Sequence, residues 1–157
     1  MTVLISRNSI ANALFAVVDA AAGKVASVQS SSRQLVPLEQ VDSPQMPAIF
    51  LVQRGEQQVR EVQGMPGIGL PAKRFMRFEV WIYTSDAQSS DTVSADQIND
   101  IVDSVEDALQ PDNVMTGTLT LAGLAWFVRI DGNVEYYLNV QGGPKSVAIV
   151  PVTLLRP

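Results

Sequence analysis

Among side chains able to do chemistry, the carboxylates of this sequence are the most unevenly placed. Eight acids fall between Asp86 and Asp112 (Asp86, Asp91, Asp96, Asp100, Asp103, Glu106, Asp107 and Asp112), and no Lys or Arg stands between Arg77 and Arg129. Asp96, Asp100, Asp103 and Asp107 are spaced four, three and four apart, which places all four on one face of a helix. Paired carboxylates serve acid–base catalysis or hold Ca²⁺ or Mg²⁺. Here the helical spacing puts them opposite an apolar stripe, with no pocket signature and without the loop pattern of a calcium site. Gly64-Met65-Pro66-Gly67-Ile68-Gly69 is glycine-rich, but it lacks the strand–turn–helix context and the Lys of a phosphate-binding loop.

Two absences narrow the chemistry further. The 157 residues include no His and no Cys. That removes the imidazole base of a serine nucleophile, thiolate chemistry, disulfides and the usual zinc ligand sets. No nucleophile–base constellation can be named, so the expectation is a protein without catalytic residues, cofactor or metal. A net charge of −5 argues against generic nucleic-acid binding through phosphates. Charged residues make up 17%, below the ~25% of a typical soluble domain. This low share points to surface that meets other copies.

Positive charge gathers at a different place. Arg54, Arg60, Lys73, Arg74 and Arg77, against Glu56 and Glu61, leave the stretch around 55–72 net positive. One explanation of both clusters is a solvated helix face and a polar loop. The sharper one is that Arg60, Lys73, Arg74 and Arg77 of one copy meet Asp96, Asp100, Asp103 and Asp107 of the next, in a head-to-tail contact that closes a ring. Such patches fix register and steer assembly more than they add affinity.

The elements that must position these groups follow from periodicity. Ser6 can cap a helix over about Arg7 to Ala22, with Ile10, Leu14, Val17 and Val18 at helical spacing and Gly23 as its stop. A strand is predicted within Val25 to Leu38, a loop over Val41 to Pro47, and a buried strand at Ala48 to Val52. Residues 55–72 read as an extended Gly/Pro loop or hairpin arm, and long loops of this kind are usually functional or disordered. Met76, Phe78, Val80 and Ile82 alternate with Arg77, Glu79, Trp81 and Tyr83, which predicts a half-buried strand over Lys73 to Thr84. Ser94 and Gln97 form a capping box for a second helix, whose apolar face is Ile98, Ile101, Val102, Val105, Ala108 and Leu109 and which ends at Pro111. Thr118 to Ile130, Val134 to Val140 and Ser146 to Leu155 complete the strands, with turns at Asp131-Gly132 and Gly142-Gly143-Pro144.

That order predicts an α+β fold in one domain, 1–157: a mainly antiparallel sheet with two helices on one face and a long arm. The longest early apolar stretch, Ile10 to Ala22, is interrupted by Asn12 and Asp19 and is shorter than the ~20 residues that span a bilayer. Met1-Thr2-Val3-Leu4-Ile5 lacks a basic leader region. The expectation is a soluble intracellular protein with no membrane contact.

In order and spacing, these pieces resemble the tail terminator, or tail-completion, proteins of long-tailed bacteriophages of the lambda terminator type. The resemblance rests on Ser31-Ser32-Arg33-Gln34-Leu35-Val36-Pro37 before Pro47-Ala48-Ile49-Phe50-Leu51, on Arg54-Gly55-Glu56, and on Gly64-Met65-Pro66-Gly67. It continues through Trp81-Ile82-Tyr83-Thr84, the helix from Gln97 to Pro111, Trp126-Phe127-Val128-Arg129-Ile130-Asp131-Gly132, and Val147-Ala148-Ile149-Val150-Pro151-Val152. Leu121-Ala122-Gly123 departs from the Leu-Gly-Gly often seen before the last of the tryptophans.

The resemblance implies structural work. Terminators of this type form a hexameric ring on the last ring of the tail tube, stop tube growth and present a surface to head-completion or neck proteins, while phage DNA passes through the central hole. Gly64, Met65, Pro66, Gly67 and Ile68 would then reach a neighbouring ring. The acidic helix would line either a subunit interface or the lumen, where it would repel phosphates and let DNA slide. The expected location is the head-proximal end of the tail in the virion, and the host cytoplasm during assembly. Alternatives are another ring-forming connector, such as a head–tail stopper, and a monomeric cytosolic ligand-binding module.

Overall fold

Helix formation starts where the sequence offers a cap. Ser6 Oγ accepts the Ser9 N–H at 3.0 Å, and α1 runs Arg7–Val25 with Ile10, Ala11, Leu14, Val18, Ala21 and Ala22 buried. The helix passes through Gly23 rather than stopping there. A glycine ends a helix by taking up left-handed backbone, and Gly23 does not; termination falls at Ala26, extended at φ −144, whose N–H bonds Ala22 O at 3.0 Å. The computed structural model describes residues 5–59, 73–86, 94–110, 121 and 123–156.

The second helix, α2 (Ser94–Ala108), buries Ile98, Ile101, Val102 and Val105. Ser104 Oγ donates to Ala21 O at 2.7 Å and ties it to the end of α1. Both helices pack on one face of a six-stranded sheet: β1 (Ser30–Ser32), β2 (Ala48–Val59), β3 (Lys73–Ser85), β4 (Phe127–Ile130), β5 (Glu135–Tyr137) and β6 (Lys145–Arg156). The strands lie in the order β1-β2-β3-β6-β4, with β5 also on β6, and every pairing is antiparallel except β1 with β2. The fold is the expected α+β arrangement.

Period-2 alternation decides what faces the helices. Ile49 and Leu51, Met76, Phe78, Val80 and Ile82, and Ala148, Val150, Val152 and Leu154 form the core with α1 and α2. The odd-numbered residues of β3 and β6 take the opposite face. Part of that face is covered by the chain between β1 and β2, where Val41 and Met46 bury against Phe50, Tyr83 and Val147. Tyr83 Oη donates to Val36 O at 2.8 Å, and Lys145 Nζ donates to Val41 O at 2.7 Å. This covering segment explains two departures from the sequence pattern. The strand predicted between Val25 and Leu38 shortens to Ser30–Ser32, because Leu35 and Val36 pack onto the back of the sheet. The loop predicted at Val41 to Pro47 contains a 3₁₀ turn at Ser43–Gln45, following another at Leu38–Gln40.

The strands near the chain end also differ from expectation. Of Thr118 to Ile130, the described strand is Phe127–Ile130, and Val134 to Val140 shortens to Glu135–Tyr137. Pro151 accounts for the break between them. Its C=O accepts the Asp131 N–H at 3.1 Å, and in an antiparallel ladder a residue's N–H faces the same side as its C=O. Pro151 therefore has no N–H to offer that edge, which splits into β4 and β5 around it. Gly132, at φ +124, makes the detour, and a Cβ there would lie 3.3 Å from Pro151 Cγ.

Candidate interaction surfaces

The acidic face of α2 is exposed along its whole length. Asp96, Asp100, Asp103, Glu106 and Asp107 are all exposed while the apolar stripe is buried. Among the described residues none of these carboxylates pairs with a Lys or Arg, and the last turn holds no basic residue. Tyr136 borders the face. Its hydroxyl is held above the ordinary tyrosine pKa by burial and then by the charges of Asp103 and Glu106. No group of three or more acids among the described residues converges closely enough to hold a metal ion.

Positive charge is divided by the sheet. The register of β2 against β3 shifts between Gln53 and Gly55, a bulge that reverses which side chains of β2 face the helices. Glu56 is thereby turned to the helix face, opposite Met76. There it accepts from Arg7 Nε at 2.5 Å and Arg7 Nη2 at 3.1 Å. These hydrogen bonds hold Glu56 below the usual carboxylate range against the opposing effect of burial, and the charges of Arg7, Arg156 and Arg74 add to the lowering. Arg156 is only 4% exposed. Its Nη2 donates to Ile5 O at 3.2 Å, while Nε and Nη1 find no hydrogen-bond partner among the described residues. Burial, followed by the neighbouring Arg7 and Arg74, pushes its pKa down.

On the opposite face a row of side chains crosses the strands. Arg77 of β3 and Arg129 of β4 both pair with Thr153 of β6, and Gly55 pairs with Arg77 from the other side. Arg77 Nη2 donates to the neutral Gln57 Oε1 at 3.1 Å. Arg129 lies over the Phe127 ring at 5.2 Å and reaches Asp131 at only 3.7 Å, with its side chain 60% exposed. The next row is apolar: Phe75, Leu155 and Phe127 are in register, and the two rings stand 6.2 Å apart. Arg54, beside the bulge, is engaged by Glu79 at 2.7 Å and lies 5.8 Å over Trp81, whose Nε1 donates to the same carboxylate at 2.9 Å.

The residues singled out from sequence are therefore distributed as follows. Asp96, Asp100, Asp103 and Asp107 share one exposed face. Arg74 and Arg77 do not share a face: Arg74 lies with Arg7, Glu56 and Arg156 on the helix side, and Arg77 lies on the other. Lys73 is the first residue of β3, paired with Val59. Gly55 to Val59, read from sequence as the start of a loop, continue β2 and pair with Lys73–Arg77 of β3. Arg60, Gly64, Met65, Pro66, Gly67 and Ile68 lie outside the described residues. Sequence reasoning missed Arg129 and Arg7 as partners of these groups. The alternation of Phe127, Arg129 and Asp131 was the available signal for the first.

A polar groove of about 330 Å³ lies between the end of α1 and β1, lined by Asp19, Gly23, Ala26 and the segment from Ser27 to Ser31. Asp19 is its one ionisable side chain, so it offers little for catalysis. No helix among the described residues is long and apolar enough to cross a membrane. No protein-family profile matches the sequence, and no curated protein matches it. Among solved structures, a protein without a functional description is similar over 98% of each chain, with a TM-score of 0.52 at 14% identity. That likeness shows a shared fold. A chain in the virion of a native gene transfer agent particle is similar over 95% of this chain and 98% of its own, with a TM-score of 0.47 at 11% identity.

Proposed function

We propose that this chain is a structural protein of a phage-type virion. It caps the tail tube as a ring, stops tube growth and forms the joint to the head or neck through which DNA passes. It acts by assembly, without catalysis, cofactor or metal. Its partners are further copies of itself, the tail-tube protein and a head-completion or neck protein, and DNA crosses the hole without sequence-specific contact.

One structural observation supports this reading above the others. An acidic surface and a basic surface, each short of partners within the described chain, lie on opposite faces of the same sheet. Copies that satisfy both must join head to tail, and such contacts close rings when the rotation allows. The resemblance of the sequence to tail terminators supports the capping role. The resemblance also assigns the contact with an adjoining ring to Gly64, Met65, Pro66, Gly67 and Ile68, which lie in sequence between β2 and β3.

Electron micrographs of particles assembled without this protein test the proposal. Overlong, headless tails are expected of a missing terminator. Tails of normal length beside unjoined heads would instead make it a stopper, and normal particles would remove both readings.

A further inference from the structure

Resting on the ring reading above, we infer that the arginine row on the back of the sheet is the seat for α2 of the next copy. Arg77 engages Asp100, and Arg129 engages Asp107.

The spacing of the two charge arrays carries the argument. Arg77 and Arg129 flank Thr153 from β3 and β4, which puts their backbones two strand spacings apart, about 9.4–9.8 Å. Asp100 and Asp107 are seven residues apart on α2, about 10.5 Å along the axis. A helix laid across the strands therefore brings one carboxylate over each guanidinium. Asp96 and Asp103 have the same separation, but Asp107 has more to gain. It lies near the C-terminal end of α2, where the helix dipole disfavours an anion and where no basic residue occupies the last turn.

Both guanidiniums are available for such a contact. Arg77 is exposed and hydrogen-bonded to an uncharged amide, and Arg129 meets its own acid only at 3.7 Å. Arg54 is not available, since Glu79 holds it. The Phe75–Leu155–Phe127 row beside the arginines supplies an apolar border that keeps water from the pairs and strengthens them. Because α2 lies in front of the sheet and the row behind it, a two-fold dimer cannot use both, and the contact repeats in one direction.

The sequence contains no Cys, so an introduced pair gives an unambiguous cross-link. The full-length chain carrying Arg129→Cys and Asp107→Cys, treated under assembly conditions with a bifunctional maleimide long enough to replace the Arg and Asp side chains, should form a ladder of covalent multimers ending at the ring. Separately, Arg77→Glu with Arg129→Glu should raise the concentration for half-assembly by at least about tenfold. Adding Asp100→Lys and Asp107→Lys should restore most of that loss. Circular dichroism melts confirm that the exposed-site variants remain folded.

If the wild type assembles but the double glutamate variant assembles equally well and no ladder forms, this contact is wrong and the ring reading stands. If the glutamates weaken assembly and the lysines do not rescue it, the row seats some other element and the inference fails. A wild-type chain that stays monomeric in solution and on tail tubes overturns the ring reading and this contact together.

Discussion

Glu56 takes two hydrogen bonds from Arg7 across a sequence separation of 49 residues, and it can do so only because the β2 bulge has turned it to the helix face. Without the bulge, alternation would point position 56 at the opposite side of the sheet. The pair joins the first turn of α1 to the second half of β2. It also sets a negative charge among Arg7, Arg74 and Arg156.

The consequence for pH follows from the sign of the shift. The folded pKa of Glu56 lies below its ordinary value of 4.5. Its stabilising contribution is therefore fully present above about pH 5 and is lost as pH falls through the depressed folded value. Glu56→Gln should melt at a lower temperature than wild type at pH 7, with the gap closing toward pH 3. A gap that stayed constant over this range would show that packing, rather than charge, links the two elements.

A second titration reports on the opposite face. Burial, with a smaller effect from Glu39, pushes the Tyr83 hydroxyl up to about 12, and that hydroxyl donates to Val36 O. Ultraviolet titration should show all three tyrosines ionising above the ordinary value near 10, with Tyr83 the latest, and Tyr83→Phe should remove that latest component. The same substitution should cost about 0.5–1.5 kcal/mol, the usual net contribution of one hydrogen bond.

Periodicity was enough to read the helices and the strands β3 and β6, but not the second half of β2, where the bulge breaks the alternation. The seven-residue repeats of α2 fixed which side carries Asp96, Asp100, Asp103 and Asp107, and alternation in β3 already separated Arg74 from Arg77. Grouping those two by closeness in sequence hid the separation. The arginine row was not legible because it depends on register: Arg129 meets Arg77 only through Thr153 of a strand between them, and no local pattern encodes that pairing. The covering segment was hidden for a related reason. Leu35 and Val36 have the composition of a strand, yet an apolar patch made by Phe50 and Tyr83 outcompetes the sheet edge for them.

Gly132 provides a test of the split edge. Its φ of +124 is strained for any L side chain, and an added Cβ would press on Pro151 Cγ at 3.3 Å. Gly132→Ala should destabilise the chain by about 1–3 kcal/mol, measured by denaturant unfolding. Gly23→Ala should act in the opposite direction. Gly23 is helical, and a methyl group added there would meet no atom within 4 Å. Replacing glycine inside a helix gains roughly 0.5–1 kcal/mol.

The acidic face makes the last prediction, in which folding and assembly respond with opposite signs. Asp100, Asp103 and Asp107 repel one another at i,i+3 and i,i+4 spacing, at about 0.2–0.5 kcal/mol per pair. No described Lys or Arg offsets this. Asp103→Asn should therefore leave the isolated chain as stable as wild type or more stable by a few tenths of a kcal/mol, and Asp100→Asn with Asp107→Asn should do the same. If the acids existed only to solvate a helix, assembly would be unchanged by these neutral substitutions. Under the proposed contact, the double asparagine variant should instead assemble more weakly despite its equal or greater stability. Thermal melts of the monomer and native mass spectrometry of the assembled species, on the same preparations, separate the two outcomes.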